Sequence, residues 1–351
     1  GARFVMGLGV GIDLPVAMAF LSEFARLKGP GNKAASVAMW CPTWYAAIGI
    51  SYLLVLLFYT VLTDSHSDWL WRIILGFGAV PALVIIAIRS RYMSESPVWA
   101  ANQGNLQEAA AILRKAYNIN ARVPQEALAA PAPVVHRARW GNYLTLFRGR
   151  YLRRTTLATL LSVVSSFAYN AVAFGLPVII ASFFVQSMLT TILISLALNL
   201  LFAFTGGLLA VRLVPRVGAW KMSLGGYACQ LTALVVLAIV GRPADAADGI
   251  IAVAMLALFL FGQGFGPGAH TMTFASLSYP TSLRGVGVGL NQTLMRSSST
   301  LSLFLFPLLV AAFDTGVFWV IAAAPLIGLL SLLAIRWEPS GYDIDAEDYR
   351  G

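Results

Sequence analysis

Charge is scarce in this chain. Only 11% of its 351 residues are Asp, Glu, Lys or Arg, while 58% are hydrophobic and mean hydropathy is +0.76. Soluble domains carry about 25% charged residues. Too little charge remains to cover a water-facing surface, which excludes both a soluble globular enzyme and a disordered chain. Cysteine is nearly absent. Cys41 and Cys229 stand inside apolar runs, which excludes a disulfide scaffold and reads as two buried thiols. The histidines His66, His136 and His270 lie far apart, with no cysteine or second histidine beside any of them. No metal-ligand spacing exists, and no cofactor is implied. Paired carboxylates and Ser/His/Asp sets are also missing, so the chain does not read as an enzyme. Strand-like alternation is absent, which excludes a transmembrane β-barrel.

Long apolar runs are abundant. A bilayer-spanning helix needs about 20 mostly apolar residues. Nine such stretches occur, at residues 4–24, 36–62, 69–88, 155–184, 188–214, 221–240, 249–273, 286–313 and 316–336. The pattern predicts an all-α membrane protein. Residues 1–89 form three spans, 90–153 a polar, basic linker, 154–336 a six-helix bundle and 337–351 an acidic tail. Within the linker, Asn105 to Tyr117 reads as a short amphipathic helix opened by an asparagine cap.

The net charge of +9 would suggest nucleic acid in a soluble protein; here the basic residues sort by side of a bilayer. Alternate loops collect 20 Lys and Arg on the side that holds Lys28 and Lys33, against three on the other. The rule predicts that the linker and tail are cytoplasmic in a plasma or inner membrane. It places the first residue outside. A start at Gly1, running straight into a span, reads as a chain whose beginning is missing. The expected partners are lipid, a small solute and protons, with no nucleic acid, and the expected state is a monomer.

Several short motifs sit at the span ends. Ser94-Glu95-Ser96-Pro97-Val98-Trp99, followed by Gly104 and Glu108-Ala109, resembles the Pro-Glu-Ser-Pro-Arg-Trp-Leu motif of the major facilitator superfamily. Trp71-Arg72 with Gly76 and Pro81 is similar to that family's sixth helix. Tyr279-Pro280-Thr281-Ser282-Leu283-Arg284-Gly285 is similar to the loop after its tenth. The likeness runs the whole chain as helices four to twelve, in the sugar-porter-like and phosphate or organic-acid proton symporter branches. It departs at Leu277, where the family often has Glu. It departs again at Pro215 to Trp220, where an Asp-Arg-x-Gly-Arg-Arg-like loop is common. The resemblance implies half of an N-terminal bundle plus a whole C-terminal bundle, with solute between them and alternating access.

Two charges fall deep inside spans, where each costs at least about 2.5–3.5 kcal/mol and calls for a reason. Asp13 lies about ten residues, ~15 Å, into the first span, and Arg296 is similarly deep in the eighth. Gly11-Ile12-Asp13-Leu14-Pro15 resembles the Gly-Gly-Asp-Tyr-Pro stretch of phosphate:proton symporters, which implies proton coupling at Asp13. The other reading is a structural Asp13, capping the helix break at Pro15 or paired with a further helix. Arg296 offers a planar fork to a carboxylate or phosphate, or else braces Asp13 or helix carbonyls. Tyr169, Asn170, Asn199, Gln263, Asn291 and Trp44 are further candidates for lining a substrate site, each alternatively a packing contact. Trp40 lines a cavity or faces lipid, and His270 reads as a packed or capped histidine. Glu23, Glu95 and Arg284 are expected in a cytoplasmic charge network, as the resemblance implies. Gly7-x-Gly9-x-Gly11 follows no strand and is not a dinucleotide loop. Gly262 to Gly268 is expected to pack closely, with a break or bend at Pro267. The whole predicts a proton-coupled symporter for a small organic anion or related metabolite. The alternatives are a sugar or polyol carrier, or a non-transporting remnant or receptor.

Overall fold

The computed structural model describes residues 4–5, 7–9, 11–13, 17–18, 21, 33–61, 69–92, 97–102, 104–124, 140–174, 188–342 and 344. Among them there is no strand, and the eleven between 4 and 21 are all helical. Seven continuous helical runs are long and apolar enough to cross a membrane. The last, Leu283–Ala334, holds two helices joined by a 3-10 turn at Asp314–Gly316. Eight of the nine expected spans are therefore present as helix, and the first falls where the description is partial.

Two compact units divide the chain, residues 54–139 and the remainder. The smaller holds the end of α2 (Trp40–Val61), then α3 (Leu70–Phe77), α4 (Ala79–Tyr92), α5 (Pro97–Asn102) and α6 (Leu106–Tyr117). Side chains at residues 71–91 of this run are exposed or half-buried, an apolar surface of the kind that meets lipid or further helices. Asn105 does occupy the N-cap position of α6, but its side chain makes no cap bond. Its amide donates instead to the Glu108 carboxylate at 3.2 Å. Asn118 ends the helix in the left-handed conformation, φ 55°.

The larger unit contains α1 (Lys33–Ala38), the start of α2, and α7 (Trp140–Leu146). It continues with α8 (Gly149–Tyr169), α9 (Met188–Leu198), α10 (Thr205–Val217), α11 (Ala219–Val240), α12 (Ala246–Phe265), α13 (Pro267–Leu277), α14 (Thr281–Phe313) and α15 (Val317–Ala334). Small residues set one of its close contacts. A Cβ on Gly226 of α11 would lie 2.5 Å from both the Gly262 carbonyl oxygen and the Gly266 Cα, so these backbones touch. Gly266 separates α12 from α13, and Pro267 restarts the helix at its first position. Close packing and the break therefore coexist in this stretch.

A row of polar side chains joins α8 to α14. Asn291 donates to the Ala158 carbonyl and the Ser162 hydroxyl, both at 2.9 Å. Ser298 donates to the Val163 carbonyl at 2.8 Å and Ser302 to that of Phe167 at 2.7 Å. Steps of seven and four keep these donors on one helical face. α8 and α9 both run on into π-helices, Asn170–Phe174 and Asn199–Phe204. Each π-helix opens with an asparagine whose amide donates to the carbonyl four residues back, Ser166 in one case and Ser195 in the other. That bond competes with the helical ladder where its register changes.

At one end of the unit the chain folds back across the helices. Gly218, at φ 89°, opens α11, and Glu338 accepts from the Ala219 and Trp220 amides at 3.0 and 2.9 Å. Trp337 donates to the Ser278 hydroxyl at 3.0 Å, with the Arg154 guanidinium 3.9 Å from its ring. Tyr279 donates to Thr155 at 3.0 Å. Burial pushes the Tyr279 phenol above its ordinary pKa and the Thr155 bond pulls it back. Arg284 is buried and donates to the Ser276 carbonyl at 2.9 Å. Glu23 and Glu95, expected beside it, lie outside the described residues.

Candidate functional site

Five helices of the larger unit surround a cavity of about 180 Å³. α2 brings Trp40, Cys41, Trp44 and Tyr45. It is seated by Pro42, 3.2 Å from where a Cβ on Gly207 would stand, and by the Cys41 thiol against the Gly264 carbonyl at 3.8 Å. α8 brings Ser165, Ser166 and Tyr169, with Asn170 at the start of the π-helix. Gln263 of α12 and Gly268 and Thr271 of α13 flank the break at Gly266. α14 brings Met295, Arg296, Ser299 and Leu303, on a stripe next to the one held by Asn291, Ser298 and Ser302.

The aromatic rings form one connected wall. Trp40 and Trp44 meet edge to face, centroids 6.3 Å apart, and so do Tyr45 and Tyr169 at 6.2 Å. The Trp44 indole donates to the Tyr169 hydroxyl at 3.4 Å. Gln263 is held by its neighbours. Its oxygen accepts from Gln230 at 2.6 Å and its nitrogen donates to Ser165 at 3.1 Å. Asn170 donates to both the carbonyl and the hydroxyl of Ser166. The indole N–H of Trp40 is buried and has no hydrogen-bond partner.

Among the described residues, Arg296 is the one cationic side chain on the wall, and none of them brings a carboxylate to it. Its side chain remains exposed, and among the described residues it forms no ion pair. Brace and anion receptor were both open readings for this residue, and no pairing with Asp13 is present. Asp13 is exposed on the first helical stretch and is not among the lining residues.

Trp44, Tyr169, Asn170, Gln263 and Arg296 therefore share one cavity, while Asn199 and Asn291 stand apart from it. The two outliers are buried, their amides turned to helix carbonyls, because in a dry interior the nearest unsatisfied acceptor is a neighbouring backbone. Sequence reasoning missed Tyr45, Ser165, Ser166, Thr271, Met295 and Ser299. Helical spacing was the available signal: Ser299 and Leu303 lie three and seven residues beyond Arg296, and Ser165 and Ser166 lie four before Tyr169 and Asn170. Neither ring nitrogen of His270 has a hydrogen-bond partner, so this histidine is packed but not capped.

The family model for sugar (and other) transporters matches residues 1–342. The inner membrane metabolite transport protein YgcS of Escherichia coli K12 is 26% identical over 328 residues, covering 93% of this chain and 67% of that protein. A candidate inorganic phosphate transporter of Oryza sativa subsp. japonica is 24% identical over 370 residues, covering 99% of this chain and 70% of that protein. The chain thus spans about two thirds of the length of these relatives. In solved structures, the major facilitator superfamily proton:xylose symporter XylE, bound to 6-bromo-6-deoxy-D-glucose, superposes with a TM-score of 0.79. It shares 18% identity and covers 99% of this chain and 73% of that one. The superposition shows a major facilitator fold, and the family match shows that the chain belongs to the sugar (and other) transporter family of multi-pass membrane transporters.

Proposed function

We propose that this chain belongs to a secondary transporter that carries a small organic anion together with protons, by alternating access. One observation carries the reading. Among the described residues, a single guanidinium, Arg296, lines the cavity and no carboxylate does. An unpaired cation in such a place is a receptor for a carboxylate or phosphate, which its planar fork engages with two parallel bonds. The candidate phosphate transporter among the relatives is named for an anionic cargo, and XylE is a proton:xylose symporter. Asp13, exposed on the first helical stretch, is the coupling carboxylate in this reading and works apart from the substrate cavity.

Uptake by the full-length protein in proteoliposomes tests this. An inward proton gradient should drive accumulation of labelled small organic acids. Arg296→Gln should weaken binding by roughly tenfold or more, the worth of a charged hydrogen bond, and Asp13→Asn should abolish accumulation while leaving exchange. Uptake indifferent to the gradient and to Asp13→Asn would remove the coupling role.

The second reading is a sugar or polyol carrier. The hydroxyl and amide groups of Ser165, Ser166, Asn170 and Gln263 favour it, together with the sugar bound in XylE. It predicts competition by neutral solutes and a mild effect of Arg296→Gln.

A further inference from the structure

We infer that the anion taken at Arg296 is a small aromatic carboxylate: one planar ring among Trp40, Trp44, Tyr45 and Tyr169, its carboxylate on the guanidinium. This rests on the anion reading above and narrows it to a chemical class.

The ring wall is the first support. Its edge-to-face contacts leave ring edges and ring faces both turned on the space between them. A guest ring finds complementary partners there, whereas a saturated ring has no quadrupole to match. Size is the second. A cavity of about 150 Å³ in an apolar core accommodates benzene, and drug-sized ligands need about 300–1,000 Å³. The space here, about 180 Å³, suits one six-membered ring and a carboxylate.

Hydrogen-bonding capacity is the third. A sugar needs several donors and acceptors ranged around its ring. The amide nitrogens of Gln263 and Asn170 are already committed to Ser165 and Ser166, and the Gln263 oxygen to Gln230. Among the described residues, the wall's donors without a partner include the Arg296 fork and the buried indole N–H of Trp40, groups that can only donate and so suit an acceptor-only carboxylate. Among the described residues no carboxylate on the wall offers a partner for an ammonium, so an amino acid is matched less well.

The test uses the full-length transporter in nanodiscs, with benzoate, cyclohexanecarboxylate, succinate and D-glucose as probes, read by tryptophan fluorescence and by thermal shift. Benzoate is expected to bind, cyclohexanecarboxylate to bind several-fold to tenfold more weakly, and glucose not at all. Trp44→Ala should erase the preference for benzoate over cyclohexanecarboxylate and Trp44→Phe should retain it. The wild-type contrast between those two acids decides the matter even if Trp44→Ala fails to fold. Equal binding of the two acids, binding of succinate alone, or no binding of benzoate at millimolar concentration overturns the aromatic assignment. With succinate bound through Arg296, the anion reading stands. Binding of glucose alone overturns both.

Discussion

His270 is fully buried on α13, and both of its ring nitrogens lack partners. Each such group costs about 1–3 kcal/mol in an interior that water does not reach. Replacing a neutral imidazole by an apolar side chain of similar reach removes that cost and leaves the packing. His270→Leu is therefore expected to hold or raise the melting temperature in detergent, and a fall of several degrees would show that the imidazole has a partner in the working protein. The same reasoning explains why side-chain roles were only half readable from the residues alone. A polar residue in a span was correctly suspected of needing a partner. Whether that partner is a solute or a backbone carbonyl depends on which way a helix is turned. Gln263 and Asn291 look alike as letters, yet one reaches the cavity and the other the Ala158 carbonyl. Arg296 was the more legible residue, since a guanidinium has few reasons to lie in mid-span.

At the scale of elements, the α11–α12 contact is a close backbone-to-backbone joint of the larger unit. Gly226→Ala would place a methyl 2.5 Å from the Gly262 carbonyl oxygen, backbone against side chain with nothing flexible to yield. Overpacking of this kind costs about 1–3 kcal/mol. The expected result is a lower melting temperature, whereas Gly289→Ala on α14, which meets nothing within 4 Å, should be silent. The glycine cluster and the break at Pro267 were visible in sequence because Gly and Pro state their backbone requirements locally. The fold-back of the tail was not. Glu338 caps α11 from 119 residues away, in the loop where the resembled family usually places charge and this chain has Pro215 to Trp220. Glu338→Ala should cost about 0.5–2 kcal/mol, the worth of a lost N-terminal cap. Glu338→Gln should cost less, because its amide oxygen still accepts. Thermal denaturation of the two variants side by side checks the order.

For the whole molecule, sidedness is the property on which alternating access depends, and charge is what sets it. Twenty Lys and Arg gather on one face of the span pattern and three on the other. By the same count the linker that carries α6 is expected on the basic side, and the loop between α11 and α12, with Asp245 and Asp248, on the other. Both surfaces offer exposed positions for labelling: Asn118 just after α6, and Ala244 just before α12. The native thiols interfere little, Cys41 being buried and Cys229 half-buried on α11. With Cys229→Ser as background, Ala244→Cys should react with a membrane-impermeant maleimide in intact cells, and Asn118→Cys should react only once the membrane is opened or inverted. Labelling of Asn118→Cys in intact cells would reverse the assigned orientation and, with it, the direction in which a proton gradient could drive uptake.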